Sequence, residues 1–217
     1  MGNKTYNQYC AIASALDLIG ERWSLLVIRN LLAGSKRFSD LMKGLPGIST
    51  NILTNRLKSL EDHAIITTVY LPPPAASTVY QLTAQGRGLI PALSALAQWG
   101  ALHLDAPEER HQIVPESVIF MIYGVFMKPA SVAREMTIVL NVDDPHYEQA
   151  YTATLSQDGV QVNEVAVADA DVSITLALQA LLQASSGQIS VQSLLAEEKL
   201  IIDGEQSAID DLLGYLQ

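Results

Sequence analysis

A tight turn between two helical patterns is the feature that most constrains how this chain can fold. The turn is Gly44-Leu45-Pro46-Gly47, in which two glycines and a proline interrupt regular structure. Phe38, Leu41 and Leu45 mark a short helix before it. After it, Ser49 is placed to cap a second helix, whose apolar residues recur at helical spacing: Ile52, Leu53, Leu57 and Leu60. The segment therefore predicts a helix-turn-helix unit.

The other side of this second helix is polar but carries little charge. Exposed helices usually present Glu and Lys, whereas the side chains here are hydrogen-bonding groups with one charge among them: Ser49, Thr50, Asn51, Thr54, Asn55 and Lys58. Such groups suit the edges of bases, which offer donors and acceptors in a major groove about 12 Å wide. The pattern predicts contact with double-stranded DNA, and an ordinary solvated helix face is the alternative.

Two β-rich runs follow, residues 65–71 and 78–82, separated by the proline-rich segment 72–77. They predict a hairpin with a stiffened tip. Helical periodicity also covers residues 8–19, the stretch from Trp23 to Leu32, and residues 84–104, where Pro91 is expected to kink or restart the helix. The first half of the chain is therefore predicted to be a winged helix-turn-helix domain.

Charge is divided unevenly along the 217 residues, which carry a net charge of −10. Residues 1–104 hold nine basic and five acidic residues, a net charge of +4, whereas residues 105–217 hold four and eighteen, a net charge of −14. Such asymmetry indicates two domains that face different partners, of which the first can approach phosphates. We predict a DNA-binding domain at 1–104, a polar linker at 105–115 and a second domain at 116–217.

The second half has a different periodicity. Alternating runs predict strands at residues 136–142, 160–165 and 172–176, and a short strand is expected at 200–202. Helical patterns cover residues 178–184, 190–196 and 206–216, so an α+β layer is expected, with helices on one face of a sheet. An aromatic and Met-rich stretch is a candidate ligand-binding segment, or else part of an ordinary core: Phe120, Met121, Tyr123, Phe126 and Met127.

Signatures of catalysis are missing from the sequence. The four histidines are scattered without metal-ligand spacing, and neither a glycine-rich phosphate loop nor a nucleophile elbow occurs. We therefore predict no enzymatic activity, no catalytic residues, no metal and no cofactor. No apolar run approaches the roughly 20 residues of a membrane span, and no signal pattern opens the chain, so a cytoplasmic protein is expected.

Cys10 is the chain's single cysteine, so an intrachain disulfide is excluded. The pattern places it in the first turn of a helix, where the helix dipole favours a reactive thiolate. A redox sensor and a small apolar residue buried at the dimer contact are both open interpretations.

The first half resembles the HxlR group of winged-helix regulators, which are related to the MarR type. The resemblance runs from about Gln8 to Ala101, and its main matching segments are Ile19-Gly20, Arg22-Trp23, Arg37-Phe38, Pro46-Gly47-Ile48-Ser49, Arg56-Leu57, Leu60-Glu61, Val79-Tyr80, Leu82-Thr83 and Trp99-Gly100. It implies a homodimer built by the first and last helices on an inverted-repeat operator, with the helix after Ser49 as recognition helix and the hairpin as wing.

Two departures from that family are visible. His63-Ala64 stands where the family usually has Gly, so the corner after the recognition helix is expected to differ. The hairpin tip lacks the family's usual basic residue, so a weaker grip on phosphates is expected, supplied mainly by Lys36, Arg37, Lys43 and Lys58.

The end of the chain resembles the sterol carrier protein-2 superfamily through the run 169–175, the helix containing Leu181-Leu182, Gly187 and the run 199–204. This resemblance implies an apolar cavity for a lipid or another hydrophobic molecule, and no catalytic residues. The combined prediction is a DNA-binding regulator modulated by an apolar effector. A lipid carrier dimerised by its N-terminal domain and a Cys10-based redox regulator are the alternatives.

Overall fold

The computed structural model describes residues 5–74, 76–105, 108, 111–127, 132, 134–145, 147–157 and 159–216. The chain divides into two compact units, Met1–Leu93 and Ser94–Gln217. This division falls inside a helix that precedes the change of charge at Asp105. The boundaries predicted at 1–104, 105–115 and 116–217 therefore stay a prediction.

The first unit is mainly helical and contains a hairpin between α4 and α5. Its elements are α1 (Ala11–Ile19), α2 (Ser24–Leu32), α3 (Phe38–Lys43), α4 (Thr50–Asp62), β1 (Ile66–Leu71), β2 (Ser77–Leu82) and α5 (Ala84–Arg87). β1 and β2 pair antiparallel from Ile66 opposite Leu82 to Leu71 opposite Ser77. The predicted helix-turn-helix and hairpin are both present.

The core face of α4 is narrower than the sequence pattern suggested. Leu53, Leu57 and Leu60 are each at most 3% exposed, whereas Ile52 is 42% exposed. Successive residues of an α-helix are rotated by about 100° around its axis, so Ile52 lies beside the buried stripe instead of within it. Ile52 shares the helical spacing of the three leucines but not their burial.

Residues 84–104 do not form one helix. α5 ends at Arg87, and α6 (Ile90–Ala101) restarts with Pro91 as its second residue, so that α6 crosses the division between the units. Proline is tolerated there because the first turn of a helix needs no intrahelical N–H donor. Of the two outcomes expected for Pro91, the structure has the restart. The first helix is also shorter than expected, since it begins at Ala11 and not at Gln8.

The corner after α4 closes in the left-handed conformation although it contains no glycine. Ala64 has a φ of 54°, and the Ile65 N–H donates to the Leu60 carbonyl at 2.9 Å. Gly86 then packs against this corner, since a Cβ there would lie 2.1 Å from the Ile65 carbonyl oxygen. The direction of the hairpin after α4 is therefore fixed by backbone contacts.

The second unit contains a five-stranded sheet with the order β5-β4-β3-β6-β7, in which β3 and β6 are parallel and the other pairs antiparallel. Its helices and strands are α7 (Pro115–Phe126), β3 (Met136–Asp144), β4 (Tyr147–Ser156), β5 (Gly159–Asn163), β6 (Val172–Leu176), α8 (Leu178–Ser185), α9 (Val191–Ala196), β7 (Leu200–Gly204) and α10 (Gln206–Tyr215). The expected α+β arrangement is present. α7 and β4 were not predicted.

The two faces of this sheet differ in chemistry. Residues such as Ile138, Leu140 and Ile174 alternate on the buried face, as the period of two requires. The opposite face carries half-buried polar side chains, where the Asn141 Nδ2 donates to the Ser173 Oγ at 3.0 Å. Most of the core of this unit therefore lies on one side of the sheet, and on the other side Val139 and Thr152 are buried as a cross-strand pair.

Candidate nucleic-acid interface

The polar side chains of α4 are presented to solvent as the sequence predicted. Thr50, Asn51, Thr54, Asn55 and Lys58 are all exposed. Ser49 precedes the helix in extended conformation, and its Oγ accepts a hydrogen bond from the Ile52 N–H at 3.3 Å. Its role as helix cap is therefore structural, and its hydroxyl hydrogen stays available as a donor.

The hydroxyl hydrogen of Thr54 is already used within the helix. The Thr54 Oγ1 donates to the Thr50 carbonyl at 2.8 Å, one turn back along α4. A hydroxyl has one hydrogen and two lone pairs, so Thr54 presents an acceptor to anything that docks on the helix. Asn51 and Asn55 each carry both a donor and an acceptor, which makes their amides the most versatile groups on this surface.

The turn before α4 is held in place by hydrogen bonds from α2. Asn30 of α2 is 1% exposed, and its Nδ2 donates to the Gly44 carbonyl at 3.0 Å. Arg29 donates through Nη2 to the Asn30 Oδ1 at 2.7 Å. A buried amide needs such partners, and this one fixes the Gly44–Gly47 turn, and hence the start of α4, on α2.

The two cationic residues of α4 have different surroundings. The Arg56 Nη1 lies 3.6 Å from the Glu21 Oε2, and the Arg56 side chain is only 19% exposed. Lys58 lies on the exposed side of the helix with the two asparagines. Arg56 therefore joins α4 to the segment before α2, whereas Lys58 is exposed to solvent.

The hairpin is held by α4 on one strand and by the segment before α3 on the other. The Thr68 Oγ1 of β1 donates to the Glu61 Oε1 at 2.6 Å. Next to β2, the Lys36 N–H donates to the Tyr80 carbonyl at 3.0 Å and the Tyr80 N–H donates to the Lys36 carbonyl at 2.8 Å. Lys36 is thus held at the side of the hairpin, and Arg37 follows as the exposed residue that precedes α3.

The outer part of the hairpin is neutral. Pro72 to Thr78 contains neither Arg nor Lys, as the sequence shows. Tyr70 of β1 is 65% exposed, which makes it the largest accessible side chain near the tip among the described residues. Contact between this hairpin and nucleic acid would therefore involve an aromatic ring instead of a cation.

Cys10 lies just ahead of α1 as its N-terminal capping residue, and not within the first turn. Its side chain is exposed and makes no capping hydrogen bond. In the single chain, Cys10 is therefore not a buried apolar residue.

The candidate ligand residues of the second half lie on α7 or directly after it, but they are not equivalent. Phe126 is completely buried, Phe120, Met121 and Tyr123 are half-buried, and Met127 is 42% exposed. The Tyr215 hydroxyl donates to the Phe126 carbonyl, which fastens the end of α7 to α10. Phe126 is therefore part of the core, and the other four residues are partly accessible.

A hydrogen-bonded pair of tyrosines on β4 was not predicted. Tyr147 and Tyr151 join their hydroxyl groups, and Tyr151 is fully buried. Burial raises the pKa of both phenols above the ordinary value, and for Tyr151 the hydrogen bond to Tyr147 raises the pKa further. Both hydroxyls therefore stay protonated at physiological pH.

Within the described ranges, no group of three or more His, Cys, Asp or Glu side chains is arranged to hold a metal ion. In the same part of the chain, no helix has both the length and the apolar character that crossing a membrane requires.

Comparison with known proteins gives a different match for each half of the chain. The family model described as HxlR-like helix-turn-helix matches residues 18–108. The model described as alkyl sulfatase C-terminal matches residues 117–217. The expected resemblance to sterol carrier protein-2 is therefore not supported. The α+β sheet domain remains as the coarser description of the C-terminal half.

Individual relatives match the first half. An HTH-type transcriptional regulator of Synechocystis sp. is 41% identical over 92 residues, which cover 42% of this chain and 68% of the relative. The HTH-type transcriptional regulator YvaP of Bacillus subtilis is 34% identical over 91 residues, covering 42% of this chain and 84% of YvaP. The solved structure of the reduced form of YodB from B. subtilis is 31% identical, covers 46% of this chain and all of that chain, and has a TM-score of 0.40.

Proposed function

Because the chain belongs to the HxlR-like helix-turn-helix family and is a DNA-binding transcriptional regulator, we propose that α4 is its recognition helix. In this proposal α4 lies in the major groove, where Asn51 and Asn55 contact base edges. Lys58, Lys36 and Arg37 contact phosphates of the same half-site. The hairpin flanks the helix as an uncharged wing.

The exposed asparagines of α4 are the observation that carries this proposal. An asparagine amide can pair with the N6 and N7 atoms of adenine through two hydrogen bonds, and such pairs contribute about 1–3 kcal/mol of discrimination. Thr54 adds an acceptor because its hydroxyl hydrogen is used within the helix. Phosphate contacts fix the position of a protein on DNA without specifying sequence. Base and phosphate contacts are therefore separable by experiment.

The experiment compares binding to a selected operator with binding to random duplex DNA. Asn51→Ala and Asn55→Ala should each weaken specific binding by about 1–3 kcal/mol per half-site and leave random-sequence binding almost unchanged. Lys36→Ala should weaken both and flatten the salt dependence. Gln192→Ala, on α9 of the second unit, is the control. Equal losses on operator and random DNA for the asparagine variants would refute the assignment of α4.

We propose in addition that the protein acts as a homodimer. The outer faces of two helices support this, because they expose large apolar side chains to solvent. Ile12 and Leu16 of α1 are 72% and 43% exposed, and Leu96 and Trp99 of α6 are 51% and 62% exposed. Accessible apolar patches of this kind mark interaction sites. A dimer would place its recognition helices on half-sites about 10 bp apart, or a multiple of that distance.

Sedimentation equilibrium of the full chain tests the dimer. The wild type should sediment as two chains, while Ile12→Glu and Trp99→Glu should shift the equilibrium to single chains, since each buries a charge in the interface. Ile201→Glu is a matched control, because Ile201 is 66% exposed on β7 of the second unit. A wild-type chain that sediments alone at micromolar concentration would contradict the proposal.

An apolar small molecule bound by the second unit is the proposed effector. The half-buried Phe120, Met121 and Tyr123 of α7 support it, because they are accessible at the edge of a packed core. Such a ligand changes DNA affinity only if it binds the DNA-competent state and the other state unequally. Native mass spectrometry of the purified protein should show added mass that is lost on denaturation. If a bound molecule is found and its extraction leaves operator affinity unchanged, a regulatory role is refuted.

A further inference from the structure

Ile52 is the residue of α4 that neither the core nor the polar face explains. Its side chain is 42% exposed, while the three leucines of the helix are buried without it. Its backbone N–H serves the Ser49 cap, which any residue at that position would do. Part of the Ile52 side chain is therefore accessible for contact with a partner.

The position of Ile52 is as informative as its exposure. It is the third residue of α4 (Thr50–Asp62), so it lies in the turn with which recognition helices contact base edges. It follows Asn51 directly and lies one turn before Asn55 on neighbouring sides of the helix. A base pair next to one contacted by these amides would meet the Ile52 side chain.

The floor of the major groove offers one apolar group, the 5-methyl of thymine, and apolar side chains are its usual partners. The exposed amides of Asn51 and Asn55 favour adenine, and guanine is most often contacted by arginine or lysine. The arginine of this helix, Arg56, is paired with Glu21. Together these residues favour A·T base pairs at the first turn of the helix.

We propose that Ile52 is a specificity-determining residue that packs on the 5-methyl group of a thymine, so that the centre of each half-site consists of A·T pairs. This inference rests on the proposed function, in which α4 lies in the major groove. It goes further, because it names the chemistry of the bases and the apolar contact that distinguishes thymine from uracil and from cytosine.

The test starts from an operator selected out of a pool of randomised duplex DNA by the wild-type protein. Each thymine of that operator is then replaced by uracil, which removes only the methyl group. A single uracil at the position that Ile52 contacts in one half-site should weaken wild-type binding by roughly four-fold, the value expected for one buried methyl-sized group, and uracil in both half-sites by roughly 15-fold. Uracil at the other positions should have no effect.

Ile52→Ala provides the second arm of a double-mutant cycle. This variant should bind the thymine operator more weakly than the wild type, and uracil at the sensitive position should cause no further loss. Leu26→Ala is the matched control, since Leu26 is 41% exposed on α2, outside the recognition helix. It should retain the full sensitivity to uracil.

The outcomes separate this inference from the proposed function. If a defined operator is selected but every uracil replacement is neutral, or if Ile52→Ala keeps the wild-type sensitivity, the role of Ile52 is refuted while α4 stands. Selection of half-sites with G·C pairs at the centre would also refute it. If no operator is selected at all, the proposed function itself fails.

Discussion

The two cations of α4 allow a test of the DNA-bound orientation that depends on charge alone. Lys58 is exposed beside the asparagines, whereas Arg56 is 19% exposed and lies 3.6 Å from Glu21. If α4 lies in the major groove, Lys58→Ala removes a phosphate contact and Arg56→Ala does not. Each phosphate contact on duplex DNA contributes about 0.9 to the slope of log K against log salt concentration.

A homodimer carries two copies of Lys58, so the slope should decrease in magnitude by about 1.8 in the Lys58→Ala variant. The contact contributes little near 1 M salt, and the lost affinity therefore grows as salt is lowered. It should reach about 20-fold at 0.2 M and about 60-fold at 0.1 M. The second value corresponds to about 2.4 kcal/mol per dimer.

Fluorescence anisotropy with a labelled operator duplex between 0.1 and 0.4 M salt measures these slopes. Arg56→Ala should keep the wild-type slope, although it loses its ion pair with Glu21 and some stability. Lys199→Ala is the surface control, because Lys199 pairs with Glu197 at 2.7 Å in the second unit. An unchanged slope for Lys58→Ala, or an equal decrease for Arg56→Ala, would refute the placement of this helix face on DNA.

Three further predictions concern the first unit. Gly86→Ala should destabilise it by about 3 kcal/mol or more, because the new Cβ would lie 2.1 Å from the Ile65 carbonyl oxygen, and a urea titration with an unchanged midpoint would contradict this. Ala64→Gly should stabilise it by about 0.5–1 kcal/mol in the same titration, since it removes a left-handed φ of 54° from a residue with a Cβ; a lower midpoint would disprove the argument. Cys10→Ala should leave operator affinity within about two-fold, because the exposed thiol makes no capping bond, and diamide-induced release of DNA in the wild type alone would instead support the redox interpretation.

Local signals in the sequence were enough to locate the helix-turn-helix. The glycines and the proline of the turn at 44–47 and the cap at Ser49 act over a few residues, and helix α4 begins where they place it. Helical periodicity was a less reliable guide to which apolar side chains of α4 are buried. Ile52 recurs with the three leucines at helical spacing and is nevertheless exposed, because spacing alone does not show how wide the buried stripe is.

The second unit was harder to predict because its sheet depends on contacts distant in sequence. β6 was predicted with its observed limits, Val172–Leu176, because its apolar and polar residues alternate strictly. β4 was missed, since Ala150 to Ala153 runs without such alternation, and its pairing with β3 and β5 is what makes it a strand. The hydroxyl pair of Tyr147 and Tyr151 likewise follows from the fold and not from a motif.

The interface was predictable in its residue types and not in its geometry. The sequence pointed to Asn51, Asn55 and Lys58, and the structure places all three on the exposed side of α4. The sequence could not show that the Thr54 hydroxyl donates to the Thr50 carbonyl, or that Arg56 forms an ion pair with Glu21. Both facts depend on side-chain conformations that propensities do not encode.

Tethered DNA cleavage is the most direct test of the claim that α4 is the recognition helix. The single native cysteine makes it practicable, because Cys10→Ala removes it and Asp62→Cys then carries an iron chelate at the exposed end of α4. Our account predicts cleavage confined to both half-sites of the operator, while a chelate attached through Gln192→Cys on α9 of the second unit gives a different pattern. Cleavage that avoids the half-sites when the chelate is on α4 would contradict it.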